Sequence, residues 1–140
     1  MAYSTNLHTR LDLDKLDWQP IERLLVGGDD AAEHASGAVG CILAHDPETG
    51  AMTYVARIPA GYRSERREAH SFDQQGIILE GEVVTDYLTD PITLTAGSYR
   101  MIPAGVFHGP AYSENGWTVM EITNGSFDIW YEELEEKDGE

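Results

Sequence analysis

Apolar residues along this chain come in short runs, four to eight residues long, and each run stops at a turn signal. Residues 23–26 (RLLV) stop at Gly27-Gly28, 39–45 (VGCILAH) at DPETG and 52–58 (MTYVARI) at PAG. Residues 76–81 (GIILEG) and 82–89 (EVVTDYLT) run up to Asp90-Pro91. Then come 92–95 (ITLT), 98–102 (SYRMI), 117–123 (WTVMEIT) and 127–133 (FDIWYEE). The runs are rich in Val, Ile, Thr, Tyr and Trp, and Gly, Pro, Asn and Asp punctuate them, which is the pattern of an all-β sandwich or barrel. Helical periodicity is weak, with one short turn predicted at 29–35 (DDAAEHA). About ten strands in one chain predict a jelly roll, whose two packed sheets manage the exposed edges.

Length refines this picture. At 140 residues the chain suits a single core. Three parts are predicted: an N-terminal arm over 1–22, a barrel over 23–132 and an acidic tail over 133–140. The arm alternates apolar and acidic residues through Leu11, Leu13, Leu16 and Trp18. It reads as an extended edge strand, and as an exchange element in a homodimer.

Charge narrows the partners. Twenty-five acids against nine bases give a formal net charge of −16. Phosphate binding runs on Lys and Arg, so nucleic acid is a poor partner, and anionic membranes are disfavoured for the same reason. No run approaches the ~18 consecutive apolar residues of a membrane span. The N-terminus lacks a basic start followed by an apolar stretch, so a cytoplasmic location is expected. The single cysteine, Cys41, has no internal disulfide partner and reads as a buried structural thiol.

The candidate chemistry is concentrated in two places. Glu68 and His70 are two apart, so on a strand they face the same way. Gln74 or Gln75 can bring an amide oxygen to the same point. His108 lies on the turn PAGVFHGP at 103–110. Two histidines, one carboxylate and one amide oxygen make a mixed N/O set that suits Fe(II), Mn(II), Ni(II) or Zn(II). The opposing readings are a Glu68 exposed and paired with Arg66 or Arg67, and a His70 hydrogen-bonded inside the core. Tyr54, Arg57, Tyr62, Arg100, Tyr112, Trp117 and Glu121 are further candidates for a cavity lining. Parity puts Trp117, Val119 and Glu121 on one face of their strand. An interior Glu121 is a candidate general base; the alternative is a surface glutamate. Arg100 either anchors an anionic substrate by a bidentate pair or forms a surface salt bridge. Tyr62 completes the catalytic candidates.

The spacing of these residues resembles the two motifs of single-domain cupins. The second motif, G-x5-P-x-G-x2-H-x3-N, is matched by Gly97, Pro103, Gly105 and His108, with Tyr112 in place of the final Asn. The first, G-x5-H-x-H-x3,4-E-x6-G, is matched more loosely by Gly61, His70 and Gly81. Glu68 stands at its first histidine, Gln74 or Gln75 stands at its glutamate, and the gap after Gly61 is one residue longer. The stretch at 46–61 is similar to the cupin group of acetylacetone-cleaving dioxygenases and anti-sigma-factor cupins. The resemblance implies a double-stranded β-helix with metal at Glu68, His70, Gln74 and His108. It implies that the carboxylate has changed places within the set, keeping a ligand charge of −1. Glu68, His70 and His108 would then be the two-histidine, one-carboxylate set of non-heme Fe(II) oxygenases. The expectation is a small metal-dependent dioxygenase, Fe(II) first and Mn, Ni or Zn after it, acting on a small organic substrate. The alternatives are a non-catalytic metal- or ligand-binding sensor and a metal-assisted isomerase or lyase.

Overall fold

The computed structural model describes residues 4–5, 11–24 and 37–133. Two short pieces come first, β1 (Ser4–Thr5) and β2 (Gln19–Pro20), followed by β3 (Val39–His45), β4 (Met52–Ile58), β5 (Tyr62–Arg63) and β6 (Glu68–Ala69). The long β7 (Gln74–Thr85) leads to β8 (Ile92–Thr95), β9 (Tyr99–Ile102), β10 (Ala111–Ser113), β11 (Trp117–Thr123) and β12 (Trp130–Tyr131).

β7 organises the molecule. Its first half pairs with β9 on one side and β11 on the other, and its last four residues pair with β8. β10 also joins that second half and carries β5 at its outer edge. β4 lies beside β11, β3 lies beside β4, and β1 and β2 pair with β3. All these pairings are antiparallel, and β12 and β6 form a separate ribbon. One strand thus belongs to both layers, and the corner falls at Gly81, next to a register shift against β11. A bulge that strengthens twist and re-aims the strand is how a sheet turns such a corner.

Period-2 alternation explains the interior. Tyr54, Ala56 and Ile58 from β4, Ile78 and Val83 from β7, and Val119 from β11 point inward. Ile21, Phe72, Leu94 and Phe127 close the core around them.

The structure departs from the sequence expectations in four places. Residues 76–81 and 82–89 are not two strands: one strand runs to Thr85, and Asp86–Thr89 form the turn. The run 127–133 keeps only Trp130–Tyr131 as strand. The run 23–26 begins inside a 3-10 turn over Ile21–Arg23 with Leu24 as its C-cap, and residues 25–26 and the turn predicted at 29–35 fall outside the described residues. The arm is not a continuous strand, because Leu13–Lys15 form a 3-10 turn. Local hydrogen bonds compete with strand pairing there. The Asp14 N–H donates to Asp12 Oδ1 at 3.2 Å, and Trp18 Nε1 donates to the Leu13 carbonyl at 3.0 Å. Cys41 is half-buried, a free thiol on β3.

A candidate metal centre in the barrel

Glu68 and His108 are joined backbone to backbone. Each N–H donates to the other's carbonyl at 2.9 Å. The Gly105 N–H donates to the His70 carbonyl at 2.7 Å, tying the same turn to the residue two further on. Arg67 braces the join from outside: Nη1 meets Glu132 Oε1 at 3.0 Å and Nη2 donates to the Phe107 carbonyl at 3.1 Å. Asp86 holds the other flank of His108, because its Oδ1 accepts from the Gly109 N–H at 2.6 Å. The two motif halves, distant in sequence, are therefore locked together by main chain.

The side chains converge accordingly. The ligand-type atoms of Glu68, His70 and His108 all lie within 4.8 Å of one another. His108 Nε2 is 3.7 Å from Glu68 Oε1. Both histidines are buried.

The tautomers follow from the partners. His70 Nδ1 lies 2.6 Å from the Asp128 carbonyl, and His108 Nδ1 lies 3.2 Å from the Val106 carbonyl. A carbonyl only accepts, so Nδ1 carries the proton on both rings and the Nε2 lone pairs are left free. Phe72 stacks on His70 at 4.8 Å between ring centres, and Phe127 closes from another side at 5.6 Å. Asp128 fixes the segment further, since its carboxylate accepts from the Ser71 N–H at 2.8 Å and from the Ser71 hydroxyl. Burial pushes the His108 imidazole down to about 4, although Glu68 pulls it up. The ring is neutral at neutral pH, the form that binds metal.

These residues line a cavity of about 140 Å³. Gln74 lines it as well, and its buried Oε1 has no hydrogen-bond partner. Gln75 faces the other way, where its Oε1 accepts from the Tyr99 hydroxyl at 2.7 Å. Glu121, Tyr62, Tyr54, Arg100 and Trp117 all line the cavity, whereas Arg57 and Tyr112 do not. Arg57 pairs with Glu80 at 3.0 Å and lies over Trp18 on the outer face. Tyr112 packs edge-on against Tyr87 at 5.5 Å.

Burial raises Glu121 to about 7, while Arg100 and a hydrogen bond from Gln74 pull it down. Burial, then the charge of Glu68, raises the Tyr62 phenol above its ordinary value. Burial, then Glu121 and Glu68, does the same to Tyr54. Both phenols remain proton donors at neutral pH.

The residues fit a divalent ion. Two imidazole nitrogens and one carboxylate form a hard-to-borderline N/O set. The partnerless Gln74 oxygen is a further donor, since a buried polar atom without a partner is costly unless something satisfies it. Sequence reasoning missed Ser64, Thr85 and Ser98 on the lining, and it missed Asp86 and Asp128 behind the histidines. Asp86 and Asp128 act on main-chain groups, so no spacing between ligand-type residues reveals them.

No family model matches the chain, and no curated protein matches it. Solved structures do. An RmlC-like cupin from Shewanella frigidimarina aligns over 89% of this chain and 96% of its own, with TM-score 0.58 and 20% identity. An acetylacetone dioxygenase from Acinetobacter johnsonii aligns over 87% and 76%, with TM-score 0.62 and 17% identity. A chain from the complex of Rhodobacter sphaeroides SigE with the anti-sigma ChrR aligns over 80% and 51%, with TM-score 0.54 and 19% identity. At such identities the likeness is one of architecture. Together with the β7 corner and the cavity between the layers, it gives the assignment: this chain has the cupin fold, a double-stranded β-helix closed into a jelly-roll barrel.

Proposed function

We propose that the chain is a metal-dependent enzyme acting on a small organic molecule inside the barrel. Glu68, His70 and His108 hold a divalent ion, and Gln74 offers a fourth oxygen. The observation that carries this reading is the tethering of both Nδ1 atoms to main-chain carbonyls. It presents two Nε2 lone pairs to one point beside a carboxylate. A bound ion supplies Lewis-acid polarisation of a ligand oxygen, and Fe(II), favoured by the two-histidine, one-carboxylate set, adds dioxygen chemistry. A dioxygenase is the reading we put first.

The protein's own groups do the rest. The apolar wall around Ile78, Val119 and Phe127 excludes water from the reacting end. Tyr62 and Tyr54 present hydroxyl donors. Glu121, raised to about 7, is poised to take or give a proton near neutral pH. That last feature favours a second reading, metal-assisted isomerisation or elimination, in which a redox-inert ion suffices.

Elemental analysis of protein purified without chelator or affinity metal tests the centre. Near-stoichiometric metal is expected in the wild type, with at least a tenfold loss in His108→Ala. Iron would rank the oxygenase first, and zinc would rank the proton-transfer reading first. A wild type that takes up no Fe(II), Mn(II) or Zn(II) on anaerobic reconstitution would overturn the proposal.

A further inference from the structure

Three strands place a polar row across the cavity wall. Arg100 on β9 stands opposite Gly76 on β7, and Gly76 stands opposite Glu121 on β11. Gly76 carries no side chain, so none stands between the two on that row. A Cβ there would come within 3.1 Å of the Glu121 carboxylate. Arg100 and Glu121 feel each other's charge, yet they form no ion pair among those of the described residues.

Arg100 is the only Lys or Arg on the cavity lining among the described residues. Nη1 makes its polar contacts, to Thr85 Oγ1 at 3.2 Å and to Asp86 Oδ2 at 3.6 Å. Neither Nη2 nor Nε has a hydrogen-bond partner among the described residues, and the side chain keeps 32% of its exposure. Its strand neighbours Tyr99 and Met101 point outward and are exposed, so alternation turns Arg100 inward. The Nε–Nη2 edge of a guanidinium that lines the cavity is thus without a protein partner among the described residues, and such a planar edge binds carboxylate in bidentate fashion.

Charge and size point to the same occupant. A divalent ion and Arg100 against Glu68 and Asp86 leave the site at +1 while Glu121 keeps its proton, inside a chain of net charge −16, so a monoanion is the ligand that neutralises it. A cavity of about 140 Å³ matches the ~150 Å³ that admits a benzene-sized body. Ile78, Val83, Leu94 and Ile102 offer that body an apolar surface.

We propose that Arg100 is the anion-binding residue of the cavity and that its ligand is a small carboxylate with a compact apolar body. This deepens the enzyme reading above by naming the substrate class, and it rests on the cavity being the substrate site.

The probe is benzoate, with benzamide as its neutral counterpart. Binding is followed by calorimetry and by the Arg100 side-chain NMR signal. The protein is the full chain in Zn(II)-loaded and metal-free forms. Benzoate is expected to bind at least tenfold more tightly than benzamide and to shift the Arg100 signal. Arg100→Gln is expected to weaken benzoate at least tenfold, and Arg100→Lys less than that, with Zn(II) uptake unchanged in both. Equal benzoate affinity in wild type and Arg100→Gln would overturn the proposal. So would loss of Zn(II) together with benzoate in Arg100→Gln, which would make Arg100 a prop for Asp86 and the His108 turn. Benzoate that binds through Arg100 in a wild type taking up no Zn(II) would support the anion site while removing the metal centre.

Discussion

Burial shifts Glu121 and His108, which share the barrel, in opposite directions. Glu121 rises from 4.5 to about 7 on folding. The folded chain therefore keeps a proton that the unfolded chain has lost, so this contribution to stability is present below 4.5 and is lost as pH rises through 7. His108 falls from 6.5 to about 4. Its contribution is complete above 6.5 and is lost as pH falls through 4. The two slopes oppose each other between 4.5 and 6.5. Glu121→Gln removes the first while keeping the shape and an acceptor for Gln74. In metal-free protein the variant should gain on the wild type with rising pH, by roughly 3 kcal/mol between pH 4.5 and 8. Urea unfolding at several pH values checks this, and a difference independent of pH would refute it. Gln74 shows how residues can be ambiguous in sequence. The motif spacing favours Gln74, which fits both the x3 and the x6 count, and leaves Gln75 as the alternative with x4 and x5; Ile77 and Ile78 give neither parity an apolar advantage. The Tyr99 hydroxyl on the outer face and the cavity on the inner one separate them.

Among the elements, the strands with strong alternation and clear turn signals were legible to the residue: 39–45, 52–58 and 117–123. The strands at 62–63, 68–69 and 111–113 were not. Two or three residues carry no period, and their pairing is set by partners far away in sequence. The long β7 was read as two strands because Leu79-Glu80-Gly81 resembles a turn, whereas Gly81 is a corner within one strand. That corner can be tested. Gly81 has φ +78°, and a Cβ there would lie 2.2 Å from the Gly116 carbonyl oxygen. Gly61 has a similar φ of +81° with nothing within 4 Å. Gly61→Ala should cost only the left-handed penalty, about 1 kcal/mol. Gly81→Ala adds a main-chain collision to the same penalty and should cost more than about 2 kcal/mol. Equal losses in chemical denaturation would mean that β7 can relax around the corner.

At the scale of the whole molecule, charge acts on stability in a direction opposite to its usual surface role. Salt weakens exposed ion pairs, and the described residues hold two at 3.0 Å, Arg57–Glu80 and Arg67–Glu132. Exposed pairs contribute at most ~1 kcal/mol each. With nine bases for 25 acids, most carboxylates meet other carboxylates, and the compact state concentrates that repulsion. Screening should therefore stabilise the fold on balance. As NaCl shortens the Debye length from ~30 Å at 0.01 M to ~8 Å at 0.15 M, the melting temperature of metal-free protein should rise by several degrees, about 2–4 °C for each kcal/mol of repulsion removed. Deleting residues 134–140 removes four acids and one base, taking the net charge from −16 to −13, and should reduce the size of that rise. Scanning calorimetry of both chains across the salt series checks the argument. A melting temperature that falls with added NaCl would mean that the few ion pairs outweigh the excess of acids, and that the −16 charge is spread too thinly to strain the barrel.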